Sequence, residues 1–160
     1  VLSVSAEELE NHKAFAGMGP EPLGNAFDGR VLFKAISRKA GPIKTVLLDQ
    51  TVVAGIGNIY ASEALFYAGI LPDRLASSLS EKEAEDLAKA VKQVLIDAIA
   101  AGGSTLRDYR HVDGNLGYFQ HRFAVYDREG TPCTKCGEAS NIQKIVQGGR
   151  ATYFCAMCQS

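Results

Sequence analysis

Apolar side chains recur every three to four residues over much of the chain, a pattern that predicts helices with one buried face. One stretch predicts a helix that ends near Gly41, and a later stretch predicts a long helix that runs through Ala101. Ser80 and Glu83 form a capping box that opens the long helix, because each side chain can bond the backbone N–H of the other residue. The apolar positions are Phe27, Val31, Leu32 and Ile36 in the first helix and Leu87, Ala88, Val91, Val94, Leu95, Ala98 and Ile99 in the second. This part of the chain therefore predicts a bundle of helices.

Between these helices, the stretch from Leu47 to Gly69 predicts a helix, a glycine-rich double turn and a second helix. Pro42 fits the first turn of the leading helix, where the N–H that proline lacks would have no partner. Gly55 and Gly57 interrupt the apolar pattern, and Asn58 is the expected N-cap of the second helix. A helix N-terminus that follows unshielded backbone N–H groups binds anions, most often a phosphate. The alternative is a tight corner between two helices, in which the glycines only allow close packing.

The composition changes after the long helix. Residues 104–120 combine glycine, asparagine and aspartate with three aromatic side chains. This mixture predicts a polar aromatic loop, and long loops of this kind are usually functional or disordered. Phe123 to Tyr126 then predict a short strand.

A hairpin is predicted near the end of the chain. Gly148-Gly149 is a two-residue turn signal, and the chain returns from Arg150 to Cys155. In the strand before the turn, two sets of side chains alternate: Ile142, Lys144 and Val146 against Gln143, Ile145 and Gln147. Arg150 is therefore expected at the tip of the hairpin. A guanidinium at a rigid tip can bond two phosphate oxygens at once, whereas the alternative is a surface arginine without a role.

The cysteines form two Cys-x-x-Cys pairs separated by eighteen residues: Cys133, Cys136, Cys155 and Cys158. This spacing predicts one tetrahedral zinc ion held by four thiolates, and no cysteine is left over. Two disulfides are an alternative that would need an oxidising compartment. A rubredoxin-like iron site is another, because iron also accepts four sulfur ligands.

Composition narrows the choice of partners only in part. The 160 residues, 46% of them hydrophobic, suffice for one ordinary domain or two small ones, and neither a membrane span nor a signal peptide is predicted. The net charge of −1 argues weakly against a nucleic-acid partner. The charge is uneven, however, because five basic and no acidic residues precede the glycine turn: Arg30, Lys34, Arg38, Lys39 and Lys44. This cluster favours a polyanion at the turn, while the alternative is a solvated helix face.

The chain from about Gly19 onward resembles the bacterial formamidopyrimidine-DNA glycosylases, the base-excision repair enzymes for oxidised purines. The resemblance rests on two stretches, DQTVVAGIGNIYASEALFYAGILPDRLASSLS and GRATYFCAMCQ. It implies a mainly α fold, in which a helix–two-turn–helix bundle precedes a four-cysteine zinc ribbon with a small β-hairpin. It also implies one structural zinc ion and a duplex-DNA partner that contains oxidised bases or abasic sites.

The resemblance assigns roles to individual residues. Asn58 and Arg150 are expected to contact the phosphates that flank the lesion, and the loop from Leu106 to Tyr118 is expected to close over the everted base. Such flipping is needed because the glycosidic bond cannot be reached inside the stacked duplex. The full predicted DNA-binding set is Gly55, Gly57, Asn58, Lys44, Tyr118 and Arg150.

The family's nucleophile is an N-terminal proline followed by a glutamate, and this chain departs from that pattern. Residue 1 is Val1, and Pro20 and Pro22 on either side of Glu21 are internal amides without a free amine. We therefore expect no catalytic residue in this chain, which is interpreted as the C-terminal DNA-binding part of the enzyme.

The predicted division has three parts. Residues 1–19 would be the end of a missing N-terminal domain with a linker, residues 20–122 a helical DNA-binding domain with the lesion loop, and residues 123–160 a zinc-finger domain. A monomer in the bacterial cytoplasm, associated with the nucleoid, is expected. Three alternatives remain: an endonuclease VIII-type enzyme for oxidised pyrimidines, a non-enzymatic zinc-containing nucleic-acid-binding module, and a zinc-stabilised protein-interaction module. The run FQHRFAVYDREGTPC favours the purine-repair branch.

Overall fold

The structure, a computed structural model, describes residues 19–100 and 123–160. Within the first of these ranges lie four helices, α1 (Gly29–Ile36), α2 (Ile43–Leu47), α3 (Asn58–Ala68) and α4 (Glu81–Ala100), with a short 3-10 turn at Ala76–Ser78. Four strands follow: β1 (Pro132–Cys133), β2 (Gly137–Asn141), β3 (Gln143–Gln147) and β4 (Arg150–Phe154). They form two separate antiparallel hairpins, β1–β2 and β3–β4. The predicted fold class, mainly helical with a small β-hairpin segment that carries four cysteines, is confirmed.

The helices pack around α4, which contacts both α1 and α3. Its start is the predicted capping box, in which the Ser80 N–H donates to Glu83 Oε1 (2.9 Å) and the Glu83 N–H donates to Ser80 Oγ (3.1 Å). Gly29 marks the crossing with α1, since a Cβ at this position would lie 2.6 Å from Glu85 Cα. Only glycine allows the two helices to approach so closely.

Helix α3 is buried on nearly all sides. Seven of its residues are buried, and they include the polar Ser62 and Glu63. A helix that is buried all round lies in the interior of a protein. One side of α3 faces the helical core, and Phe66 on another side joins a second core with Ile142 and Tyr153. Gly69 ends the helix with a φ of 76°, as the sequence predicts.

Several predicted boundaries are wrong. Helix α1 ends at Ile36 and not near Gly41, and Gly57, not Asn58, is the N-cap of α3. Residues 123–126 do not form a strand, because the N–H groups of Ala124, Val125 and Tyr126 bond a side chain and no neighbouring strand. The β1–β2 hairpin was not predicted at all.

The β3–β4 hairpin agrees with its prediction. Gln147 pairs with Arg150 across the turn, and Gly148 and Gly149 both have the positive φ that a two-residue turn of this type requires. Residues 1–18 and 101–122, which include the predicted lesion loop, lie outside the described residues. The division into three parts therefore stays a prediction. Within the described residues, no helix combines the length and the apolar character that a membrane span requires.

Candidate nucleic-acid interface and metal centre

The four cysteines meet at one point, where their Sγ atoms all lie within 4.8 Å of one another. Cys133 and Cys158 are 3.6 Å apart, as are Cys136 and Cys155, and all four thiols are free. A disulfide needs a separation of about 2.05 Å, so the alternative of two disulfides does not fit. Four sulfurs bound to one ion at about 2.3 Å lie about 3.8 Å apart. The four side chains therefore fit one tetrahedral metal ion.

The loop between Cys133 and Cys136 rests on the C-terminal end of α3. Its Lys135 donates a backbone N–H to Cys133 Sγ (3.3 Å), a contact that stabilises a thiolate. The Lys135 ammonium lies 4.9 Å from the centre of the Phe66 ring and 3.4 Å from the Phe66 carbonyl oxygen. A cation is favourable there because unpaired carbonyls make the end of a helix negative.

The end of the chain secures the second cysteine pair to the same helix end. The Cys155 N–H donates to Gln159 Oε1 (2.7 Å), and Gln159 Nε2 donates to the Ile70 carbonyl (2.9 Å). Ser160 and Gly69 also form a backbone hydrogen bond of 3.0 Å. Both halves of the metal centre are thus fixed relative to α3.

At the other end of α3, Asn58 lies between α2 and β4. Its Nδ2 donates to the Ala151 carbonyl (2.9 Å), and its Oδ1 accepts from the ammonium of Lys44. The same ammonium lies 3.4 Å from the Ala151 carbonyl oxygen. Because Arg150 precedes Ala151, these contacts bring the two predicted phosphate ligands, Asn58 and Arg150, to one place.

Lys44 is the buried member of this group. Its side chain is fully buried, and desolvation together with the nearby Arg150 guanidinium lowers the pKa of Lys44 to about 8. The Lys44 ammonium contacts Asn58 Oδ1 and the Ala151 carbonyl oxygen, and its predicted contact with DNA stays a prediction. Arg150, in contrast, is exposed on the hairpin as expected.

The glycine turn agrees with its prediction in part. Gly55 is exposed with a φ of 81°, but its N–H is not open, because it donates to Gln50 Oε1 (2.7 Å). Gly57 has an ordinary φ of −92°. A Cβ built on Gly57 would meet nothing within 4 Å, so the space in front of the helix is free for another group.

Basic residues of α1 and of the segment after it lie beside the double turn. Lys34, Arg38 and Lys39 line a shallow cleft together with Thr51 of the double turn. Lys39 pairs with Asp49 (3.3 Å), which follows α2. A group of cations therefore lies beside the double turn, and one of them is paired with a carboxylate.

Sequence reasoning missed Glu63, whose side chain is only 2% exposed. Oε1 accepts from the Ala124 N–H (2.7 Å), and Oε2 accepts from Val125 (2.8 Å) and Tyr126 (2.9 Å). Burial raises the pKa of Glu63, while the three N–H bonds act in the opposite direction. The signal in the sequence was a single charged residue in an otherwise uncharged helix, since a carboxylate buried in this way needs donors.

Comparisons with known proteins agree with this arrangement. Residues 18–110 match the family model described as the formamidopyrimidine-DNA glycosylase H2TH domain. Formamidopyrimidine-DNA glycosylases of Cereibacter sphaeroides and Rhodospirillum rubrum are 54% and 55% identical to this chain, over 98% and 96% of its length. The chain belongs to the formamidopyrimidine-DNA glycosylase family. It spans about half the length of these relatives, 55% and 56% respectively.

Solved structures of glycosylases in this family have the same fold. The MutM (Fpg) protein of Thermus thermophilus superimposes with a TM-score of 0.78 and 47% identity, over 90% of this chain and 54% of that protein. The Fpg of Lactococcus lactis, in a complex with DNA that contains FAPY-dG, gives a TM-score of 0.81 and 34% identity, over 96% of this chain and 55% of that protein. The predicted family is confirmed.

Of the predicted ligands in this family member, Asn58, Lys44, Gly55 and Gly57 lie around the start of α3, and Arg150 approaches from the hairpin. Tyr118 lies outside the described residues, so its predicted contact with DNA stays a prediction.

Proposed function

We propose that this chain provides the DNA-binding part of a base-excision repair glycosylase and abasic-site lyase that acts on oxidised purines such as 8-oxoguanine and formamidopyrimidines. The main support for this proposal is the contact of Asn58 with the Ala151 carbonyl, which joins the start of α3 to the hairpin that presents Arg150. This contact holds two candidate phosphate-binding side chains from separate elements close together, which supports their binding to one strand of a duplex. An endonuclease VIII-type preference for oxidised pyrimidines is less well supported, because the relatives reported above are named for formamidopyrimidines.

The binding proposal is tested with a fluorescent duplex that contains a stable abasic-site analogue. We expect Asn58→Ala and Arg150→Ala each to weaken binding by about 1–3 kcal/mol, roughly 5- to 150-fold, because each removes a charge-assisted contact to a phosphate. Matched controls are Asn141→Ala and Lys82→Ala, which change exposed residues of the same polar and cationic classes. Affinity should fall steeply with salt, as phosphate contacts require. Equal affinities of all five proteins, or a flat salt response, would contradict the proposal.

We also propose that Cys133, Cys136, Cys155 and Cys158 hold one structural zinc ion. The four free thiols and their mutual distances support a tetrahedral site, and zinc is the common occupant of such a four-cysteine set. Elemental analysis of the purified protein should give one zinc per chain. Iron in its place, with the visible colour of a ferric thiolate site, would favour the rubredoxin-like alternative.

We further infer that the 160 residues, tested by themselves, bind DNA without excising a base. Lys44 and Glu63 hold the interface together, and both are buried and hydrogen-bonded, so neither can attack or protonate a sugar. Borohydride trapping on a duplex with 8-oxoguanine should give no covalent adduct at an enzyme-like rate. A rapid adduct would mean that a residue of this chain acts as the nucleophile.

The remaining expectations follow from a chromosomal DNA partner. We expect a monomer in the bacterial cytoplasm, associated with the nucleoid. Light scattering at increasing concentration tests the monomer, since a mass above 17.1 kDa would contradict it.

A further inference from the structure

We infer that Lys44 is a positioning residue that fixes the orientation of the Asn58 side-chain amide, so that one N–H of Asn58 remains directed at a DNA phosphate. This inference rests on the proposed function, because it concerns the phosphate contact of Asn58. The inference is based on one buried ammonium, that of Lys44, which contacts both Asn58 Oδ1 and the Ala151 carbonyl oxygen.

The first step of the argument concerns donors and acceptors. An ammonium has three donors and no acceptor, whereas an asparagine amide presents an acceptor on one side and two donors on the other. The Asn58 atom that faces Lys44 must therefore be Oδ1. The reverse orientation would place the NH2 group of Asn58 against the ammonium and its oxygen against the oxygen of Ala151.

The second step concerns the second hydrogen of Asn58 Nδ2. One hydrogen is donated to the Ala151 carbonyl, at 2.9 Å. Within the described residues Nδ2 has no second acceptor, and Asn58 is half-buried at the start of α3, not enclosed. The free N–H is thus available to an oxygen that approaches the helix N-terminus, beside the open space in front of Gly57.

The third step is the unfavourable placement of the charge. Lys44 is fully buried next to Arg150, and both effects lower its pKa. Apolar residues of similar volume usually fill such a position without loss of stability, and often with a gain. A cation kept at this position therefore serves something other than stability of the free protein, and Asn58 is the side chain that it orients.

The test is a double-mutant cycle with the abasic-site duplex. Lys44→Met keeps the length of the side chain and removes the ammonium. We expect it to weaken binding about as much as Asn58→Ala, at least fivefold, while the melting temperature stays the same or rises. In the double variant Lys44→Met/Asn58→Ala we expect no further loss, because both changes remove the same phosphate contact. Additive losses would show that Lys44 acts on DNA independently of Asn58, and unchanged binding of Lys44→Met would show that it has no role; either result overturns the inference.

Lys44→Gln separates positioning from charge. Its amide can still donate to Asn58 Oδ1 but carries no charge, so we expect it to recover part of the affinity that Lys44→Met loses. If Lys44→Gln binds as weakly as Lys44→Met, the charge alone matters and the positioning role is wrong.

A measurement on the free protein keeps the inference testable if the variants do not fold or if no DNA binds. In the wild-type protein, one Nδ2 proton of Asn58 should be protected from solvent exchange by the Ala151 carbonyl while the other exchanges freely, and the side chain should hold a single χ2 angle. Equal exchange of the two protons, or averaging over several χ2 angles, overturns the inference. Failure of the wild-type protein to bind any duplex would instead contradict the proposed function, and the NMR result would still stand.

Discussion

The helical part (residues 19–100) and the finger (residues 123–160) reach a fixed structure by different means. The helical part has a continuous core of buried apolar side chains that extends from Phe27 to Val94. The core of the finger is small, includes the candidate metal ligands Cys133 and Cys155, and is completed by Phe66 of α3. A segment of this size rarely buries enough apolar surface to fold alone. The finger therefore depends on its four cysteines and on a helix that belongs to the other part.

This difference makes α3 the shared element of the two parts. It contacts the finger at its start through Asn58, in its middle through Glu63 and at its end through the Phe66 carbonyl. All of these contacts are polar and close to the two predicted DNA ligands or to the metal centre. We expect the finger to depend on α3 more than α3 depends on the finger, because α3 also packs against α4.

Removal of the metal should have the largest effect. Four-cysteine zinc sites bind with roughly 10–16 kcal/mol, and in small modules that energy is folding energy. With a strong chelator we expect the β3–β4 hairpin to lose its NMR dispersion while the far-UV helical signal persists. Hydrogen exchange at the N–H groups of Leu71 and Ser160 should accelerate, since they donate to the Ser160 and Gly69 carbonyls across the junction of the two parts. Collapse of the helical signal would mean that the two parts unfold as one unit.

The sequence predicts those features of the two parts that depend on residues close together in the chain. The period of α4, the capping box at Ser80 and the Gly148-Gly149 turn depend on neighbours in the chain, and the structure confirms them. The spacing of the cysteines was likewise enough to predict a shared site.

Two of the failures involve contacts between distant parts of the chain. Asn58 was predicted as an N-cap from its local preference, but its amide is occupied by Lys44 and by Ala151, 93 positions further along. The predicted strand at 123–126 is replaced by a segment that bonds Glu63. Periodicity contains no information about which buried carboxylate will supply acceptors to a distant loop. Interactions of this kind override local propensity.

Glu63→Gln should have the next largest effect and should act on both parts. Glutamine has one acceptor oxygen, so at least one of the three N–H groups of residues 124–126 would face its NH2 group. We expect a loss of about 2–3 kcal/mol in the free energy of unfolding, because hydrogen bonds to a charged group are removed at a buried site. Metal should also dissociate faster, since residues 124–126 lead into the first cysteine pair. The control is Glu129→Gln, which changes an exposed residue of the finger. A change in stability as small as that of the control would mean that the Glu63 contacts are not structural.

Lys44 should make the free energy of unfolding depend on pH, with a total change of about 1–3 kcal/mol. Its pKa in the folded protein is about 8, below the ordinary value of 10.5. Between these values the unfolded chain binds more protons than the folded one, so stability rises with pH in this window. Relative to Lys44→Met, the wild-type protein should therefore gain stability from pH 8 to pH 10.5 in denaturant titrations.

DNA affinity should show the opposite trend. A phosphate near Lys44 favours the charged form, so binding takes up a proton and the wild-type protein should bind the duplex more weakly as pH rises above 8. Lys44→Met should lack both trends. Parallel pH profiles of the two proteins would contradict a buried lysine with a lowered pKa at the junction of the two parts.

The smallest predicted effect is confined to the helical part. Asp28 is the N-cap of α1, and its Oδ1 accepts from the Val31 N–H at 2.9 Å. Asp28→Ala should lower the free energy of unfolding by about 1 kcal/mol, and Asp28→Asn should retain most of the stability, because asparagine caps helices almost as well. Helix α1 packs against α4, whereas the finger is joined to α3, so the cap of α1 is separated from the cysteines. Metal affinity should therefore not change in either variant. Calorimetry with and without chelator, together with competition for zinc by a coloured chelator, measures both quantities. If Asp28→Ala lowers metal affinity along with the free energy of unfolding, the stability of α1 is coupled to the cysteines through α4 and α3. The helical part and the finger would then not be stabilised independently.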